Sequence, residues 1–217
     1  MDARRAYRRQ GSGRFPDRTW YTAFLVGVGR PREAIGHLQR TADQFGYCNP
    51  TYLGDLAMLC MLARDLPLAR TTILAALDAA PLYYQHHLNH AILLEAEGDP
   101  QAALRVLDAS PLKWRERPVT WGLRALFAGL SGAKAVARRR IQWLQAFEKV
   151  GVYVPPSQIA ACQLGAGNTE GAIGQLERSR EERDPLMVWF HAYPFFRHLY
   201  GHPRFERLIE SIGTVRY

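Results

Sequence analysis

The chain has 217 residues, a formal net charge of +8, 47% apolar and 22% charged residues; this excludes a disordered or collagen-like chain and suits one large domain or one extended array. Three widely spaced cysteines, Cys48, Cys60 and Cys162, with no CxxC pair, exclude a disulfide framework and point to a reducing cytoplasm. All but three of the 28 cationic side chains are arginines scattered along the chain, so the positive balance permits acidic partners without selecting one.

Residues 1–15 are basic, with Arg4, Arg5, Arg8 and Arg9 around Tyr7, and are expected to form a flexible arm. The apolar run TWYTAFLVGVG after them superficially resembles a secretory signal. Arg30 follows at once and no small-x-small cleavage site is present, so the run reads as a first helix. No stretch approaches the 18 or so apolar residues of a membrane span.

From residue 29 a phrase recurs. Residues 29–38 read GRPREAIGHL, 64–73 RDLPLARTTI, 98–107 GDPQAALRVL, 132–141 GAKAVARRRI and 167–176 GNTEGAIGQL. Each has a turn residue, usually Gly, then Ala five places later and Leu or Ile four places after that. The alanines are Ala34, Ala69, Ala103, Ala137 and Ala172, and the aliphatics are Leu38, Ile73, Leu107, Ile141 and Leu176. Twelve places before each alanine stands a small residue: Thr22, Ala57, Ala91, Ala125 and Ala160. Such a period signals a repeat architecture. A helix, a tight turn and a second helix satisfy it, with the small residues at the crossing. The pattern predicts helix pairs at 18–28 with 31–45, 51–64 with 66–79, 82–97 with 99–110, 117–130 with 133–149, and 156–166 with 169–182. No region alternates like a strand. The predicted fold is an all-α solenoid of about five hairpins over 16–184, with a capping helix pair at 185–217.

The period, the small-residue columns and the Gly-x4-Ala turn resemble the tetratricopeptide repeat. Leu53 and Trp121 fit its large residue early in the first helix, whereas His87 and Pro156 do not; Pro81 and Pro185 fit its closing proline. Residues 192–213 resemble the segment that closes many bacterial tetratricopeptide proteins, through Trp189, Pro194, Phe196, Leu199, Pro203, Arg204, Phe205 and Leu208, with one spacing difference. The resemblance implies a scaffold that binds a partner in a concave groove lined by the first helices, with the closing segment packed on the last repeat.

In that register the groove carries Met58, Met61, Leu62, Leu88, Ile92, Glu95, Leu126, Leu130 and Leu164, with Gly54, Gly122, Gly129 and Gly165 among them. Lys, Arg and Asn are missing from this set, which argues against a clamp for a carboxylate tail. Three accounts fit an apolar groove: it is narrow or filled by the chain's own C-terminal helices or arm, it receives an apolar helix or extended segment of a partner protein, or it takes an apolar small molecule. The expected role is a non-enzymatic adaptor for a partner's apolar segment. The alternative is an enzyme or small-ligand protein using the same cavity, with His86, His87, His90 or Glu95 as its polar groups.

His86 and His90 share a helix face and are the candidate metal ligands, but the glutamate of HExxH is missing from HHLNH and no third ligand is evident. Packed or surface histidines account for them more simply. No cofactor is called for. GVGR at 27–30 reads as a helix stop rather than a phosphate loop. A nucleic-acid regulator using the basic arm is a further alternative; the apolar first helices lack the regular polar code of helical-repeat RNA readers.

Overall fold

The computed structural model describes residues 18–45, 50–110 and 118–214. The expected arm at 1–15 and Cys48 lie outside the described residues. Within them, every regular element is helical. The helices are α1 (Arg18–Gly27), α2 (Pro31–Phe45), α3 (Pro50–Leu62), α4 (Leu66–Ala79), α5 (Tyr84–Ala96), α6 (Pro100–Ala109), α7 (Pro118–Leu130), α8 (Lys134–Lys149), α9 (Pro156–Gly165) and α10 (Thr169–Glu181). Two 3-10 helices, Pro185–Trp189 and Pro194–Leu199, then precede α11 (Pro203–Ile212). The ten predicted helices all form within two residues of their expected bounds. In place of the expected final helix pair there are three shorter elements. Pro185, Pro194 and Pro203 each open one, because proline cannot continue a helix but suits its first turn.

The recurring phrase owes its form to the turn between paired helices. Gly29, Gly98, Gly132 and Gly167 all have positive φ, from 77° to 98°. The residue after each donates its N–H five places back: Arg30 to Leu25, Asp99 to Leu94, Ala133 to Ala128 and Asn168 to Gln163, at 2.7–2.9 Å. This closure needs a left-handed residue at the helix end, where glycine has no Cβ to clash. The second pair departs from the rule: Arg64 takes the same conformation at φ 62°. Asp65, Asp99 and Asn168 then cap the second helices, accepting from the N–H of Leu68 (3.1 Å), Ala102 (2.7 Å) and Gly171 (3.0 Å).

The three sequence columns are buried in the helix packing. Ala34, Ala69, Ala103, Ala137 and Ala172 have no exposed surface. Thr22, Ala57, Ala91, Ala125 and Ala160 are buried, as are Ile73, Leu107, Ile141 and Leu176, while Leu38 is half-buried. From α1 to α10 each helix packs on the next, and first helices also meet one another, α3 on α5 and α7 on α9.

The contact of α7 with α9 accounts for the small residues among the large ones. A Cβ on Gly129 would lie 1.9 Å from the carbonyl oxygen of Gly165, and one on Gly165 would lie 2.5 Å from that of Ala125. The two backbones touch there. Gly54 and Gly122 do the same for side chains, admitting His86 and Gln158 of the neighbouring first helix. These glycines therefore mark contacts between first helices.

Gly129→Ala is expected to force α7 and α9 apart and to destabilise the fold by about 3 kcal/mol. Gly174→Ala, in α10 with open space around it, is expected to stabilise by roughly 0.5–1 kcal/mol through helix propensity alone. Urea unfolding followed by circular dichroism measures both, and a mild effect of Gly129→Ala would contradict the backbone contact.

Candidate functional site

The residues expected to line a groove are mostly enclosed. Met61, Leu62, Leu88, Ile92, Leu126 and Leu164 are buried, Met58 and Leu130 partly so. All eight belong to, or pack against, one continuous cluster with Phe190, Tyr193, Phe195, Phe196 and Leu199. Segment 185–212 is thus part of the same core, and among the first helices it packs on α1 and α5. Its first 3-10 helix packs on both α1 and α10, its second on α5, and α11 on α10.

Local chemistry explains how the segment leaves α10. Arg183 takes φ 57° and the N–H of Asp184 donates to the carbonyl of Ser179 at 2.8 Å. This is the same turn closure once more. Asp184, itself buried, accepts from Ser179 Oγ (2.8 Å) and from the N–H of Leu186 (2.9 Å). The residues Arg183-Asp184-Pro185 match Gly98-Asp99-Pro100 in role, with arginine again replacing glycine.

Aromatic rings then fill the face. Phe190 and Phe196 are 5.2 Å apart between centroids and edge-on, with Phe195 4.7 Å from Phe196 and Tyr193 5.0 Å from Phe195. Tyr200 donates its hydroxyl hydrogen to the carbonyl of His191 at 2.6 Å and accepts from Arg64 Nη2 at 3.1 Å. The Arg64 guanidinium also stands 5.7 Å from the Tyr200 ring centroid. Arg64 keeps its strained turn position while its side chain grips the segment, which is a role glycine could not fill. Farther on, Arg204 pairs with Glu170 (2.5 Å) and Glu177 (2.6 Å), and His202 lies 2.9 Å from Glu170.

One charge sits inside the covered face. Glu95, in α5, is 1% exposed. Its Oε2 accepts from Arg197 Nη1 at 2.7 Å, its main-chain oxygen accepts from Arg197 Nη2 at 3.0 Å, and its Oε1 is 3.2 Å from His198 Nε2. Arg197 Nη1 also donates to the carbonyl of Pro194 at 3.1 Å, which fixes the guanidinium across its own turn. A buried carboxylate is costly unless paired and hydrogen-bonded. Arg197 meets that requirement from 102 residues away. Beside it a cleft of about 90 Å³ is lined by Met61, Arg64, Leu66, Ala96, Pro194 and Arg197.

The histidine stretch is part of the helix packing. His86 is fully buried, edge-on to Tyr83 at 4.9 Å and against Gly54. His87 Nε2 is 2.6 Å from the carbonyl oxygen of Pro81. His90 is half-buried and its imidazole is held below the ordinary range by burial and then by Arg70. Among the described residues no group of three or more His, Cys, Asp or Glu side chains could hold a metal ion. Cys60 and Cys162 are buried free thiols, both pushed up to about 12 chiefly by burial.

No family model, curated protein or solved structure matches the chain.

Arg197→Met is expected to leave Glu95 buried with a much weaker partner and to cost about 3–5 kcal/mol. Glu95→Met with Arg197→Met removes both charges and is expected to recover most of that loss. A urea double-mutant cycle checks this, and additive losses would contradict a direct pair. A second expectation concerns pH. Burial holds His191 below the usual histidine value of 6.5. The unfolded chain then binds a proton that the folded chain resists, so stability falls as pH drops below about 6.5. Between pH 7.5 and 5.5 the urea midpoint of His191→Gln should therefore fall less than that of the parent. An equal fall would show that His191 does not titrate on unfolding.

Proposed function

We propose that the chain is a non-enzymatic helical-repeat scaffold of the tetratricopeptide kind, whose first-helix face receives an apolar protein segment. In this reading the ten helices are five stacked hairpins of a solenoid, and the face covered by 185–212 is its inner wall. Support for the stacking comes from the three buried columns, from the repeated turn closure and from contacts between first helices that are one pair apart. The resemblance of the closing segment points the same way.

The observation that carries the functional reading is the occupant. The first-helix face already holds an aromatic, mostly 3-10 segment, and it does so through side-chain burial and one buried ion pair. A surface that seats such a segment in cis has the chemistry to seat one from a partner protein. The covalent link gives the chain's own segment a large effective concentration, so a partner binds by displacing it. The reading also places the protein in a reducing compartment, in keeping with two buried unpaired thiols. Among the described residues no helix is long and apolar enough to cross a membrane.

The other readings lack an observation of comparable weight. The cleft beside Arg197 is about 90 Å³, against roughly 300–1,000 Å³ for ordinary small-molecule sites. A larger hollow of about 420 Å³, lined by Arg180, Glu181, Arg183, Met187, Ser211 and Ile212, opens widely to solvent at the ends of α10 and α11. It lies away from the histidines and from Glu95.

Charges placed at Met61 or Leu126 would unfold the core, since both are fully enclosed, so a test must act on the segment. The full chain carrying Arg64→Gly and Tyr200→Ala keeps Glu95 and the apolar wall but loses the grip on Tyr200. It is expected to bind a fluorescent peptide of sequence 188–200 by anisotropy, several-fold tighter than the parent chain does. A scrambled peptide serves as the control. No binding above the scrambled control would overturn the reading.

A further inference from the structure

The inner wall has a chemical demand that an apolar surface lacks. Glu95 stands alone among Met61, Leu62, Leu88, Ile92 and Leu126 as the charged member of the wall, and it is covered as completely as they are. Any segment that replaces 185–212 must bring a cation to Glu95 or leave an enclosed carboxylate unpaired. We infer that the inner wall recognises arginine: the partner segment it fits is aromatic, folds as a short 3-10 helix opened by proline, and carries an arginine three residues after that proline. This rests on the scaffold reading above and names the partner class for the same surface.

Two features single out a guanidinium. Arg197 donates from different nitrogens to two acceptors of one residue, the carboxylate and the main-chain oxygen of Glu95. Lysine has one nitrogen and cannot span both in that planar arrangement. The same guanidinium reaches the Pro194 carbonyl three residues earlier, so the turn and the cation are set together. Phe195 and Phe196 lie between them and are both buried. The order proline, aromatic, aromatic, arginine therefore places two rings on the apolar wall and one guanidinium on the carboxylate. His198 adds a second contact to the other carboxylate oxygen at 3.2 Å, but it is more exposed, at 37% against 32% for Arg197. The wall rejects acidic and neutral segments by the same arrangement, because each would leave Glu95 buried without a partner.

The test compares two labelled peptides of sequence 188–200, one native and one with citrulline, the uncharged isostere, in place of the arginine. Each is titrated by anisotropy into the full chain carrying Arg64→Gly and Tyr200→Ala, with and without Glu95→Gln. Should the double variant fold poorly, Arg64→Gly alone serves, since it removes the grip and puts glycine into a left-handed turn. The expected result is a preference of about tenfold or more for the arginine peptide on the Glu95 chain. That preference should shrink to under about threefold on the Glu95→Gln chain. Equal binding of both peptides to the Glu95 chain would overturn arginine recognition while leaving the segment-receiving surface in place. Failure of both peptides to bind any chain would overturn both readings.

Discussion

A helix pair joined by a three-residue turn can hide only the stripe where its two members touch. The constraint that shapes this protein is what happens to the remaining apolar surface. Neighbouring pairs hide part of it, which is why α3 meets α5 and α7 meets α9. Part of the rest is covered by residues 185–212, which pack first on α1 and α10, then on α5, and return to α10. Each large side chain enclosed in this way stabilises by about 1.5–3 kcal/mol. The segment is therefore a structural part of the core.

This double role accounts for features that local structure does not explain. Arginine stands in a left-handed turn at Arg64 because its side chain is used elsewhere, on Tyr200. A carboxylate is tolerated inside the wall because a guanidinium is supplied by the covering segment. Burying both charges contributes little net stability compared with a hydrophobic pair. On the proposed reading, what it contributes is a choice among segments, since an apolar wall alone would accept any greasy sequence in any register.

Much of the fold was legible in the sequence because its rules are short-range. A left-handed turn asks for glycine, a helix start asks for Asp or Asn, and a close crossing asks for alanine. These requirements recur with each pair and so become columns. The apolar character of the wall was legible for the same reason, through Met61, Leu88, Ile92 and Leu126. The chain's own C-terminal segment was among the occupants the sequence allowed, but the contacts that hold it were not legible. Glu95 and Arg197 are 102 residues apart, and nothing in a periodic pattern fixes such a pairing. The turn at Arg183 was missed because arginine there hides a closure that glycine would have announced. A signal was nevertheless present in two matching anomalies: one charged residue on an apolar helix face, and one basic pair, Arg197 and His198, inside an aromatic run.

The central claim is that residues 185–212 lie against the first helices as part of one folded core. Hydrogen–deuterium exchange of the full chain tests it directly. The N–H groups of Ala192, Tyr193 and Phe196 donate within the segment to Trp189 and Tyr193, and their neighbours are enclosed. The account predicts that peptides covering 188–200 exchange as slowly as those from α3 and α5. Exchange of 188–200 at the rate of an unstructured chain, with α3 and α5 still protected, would contradict it.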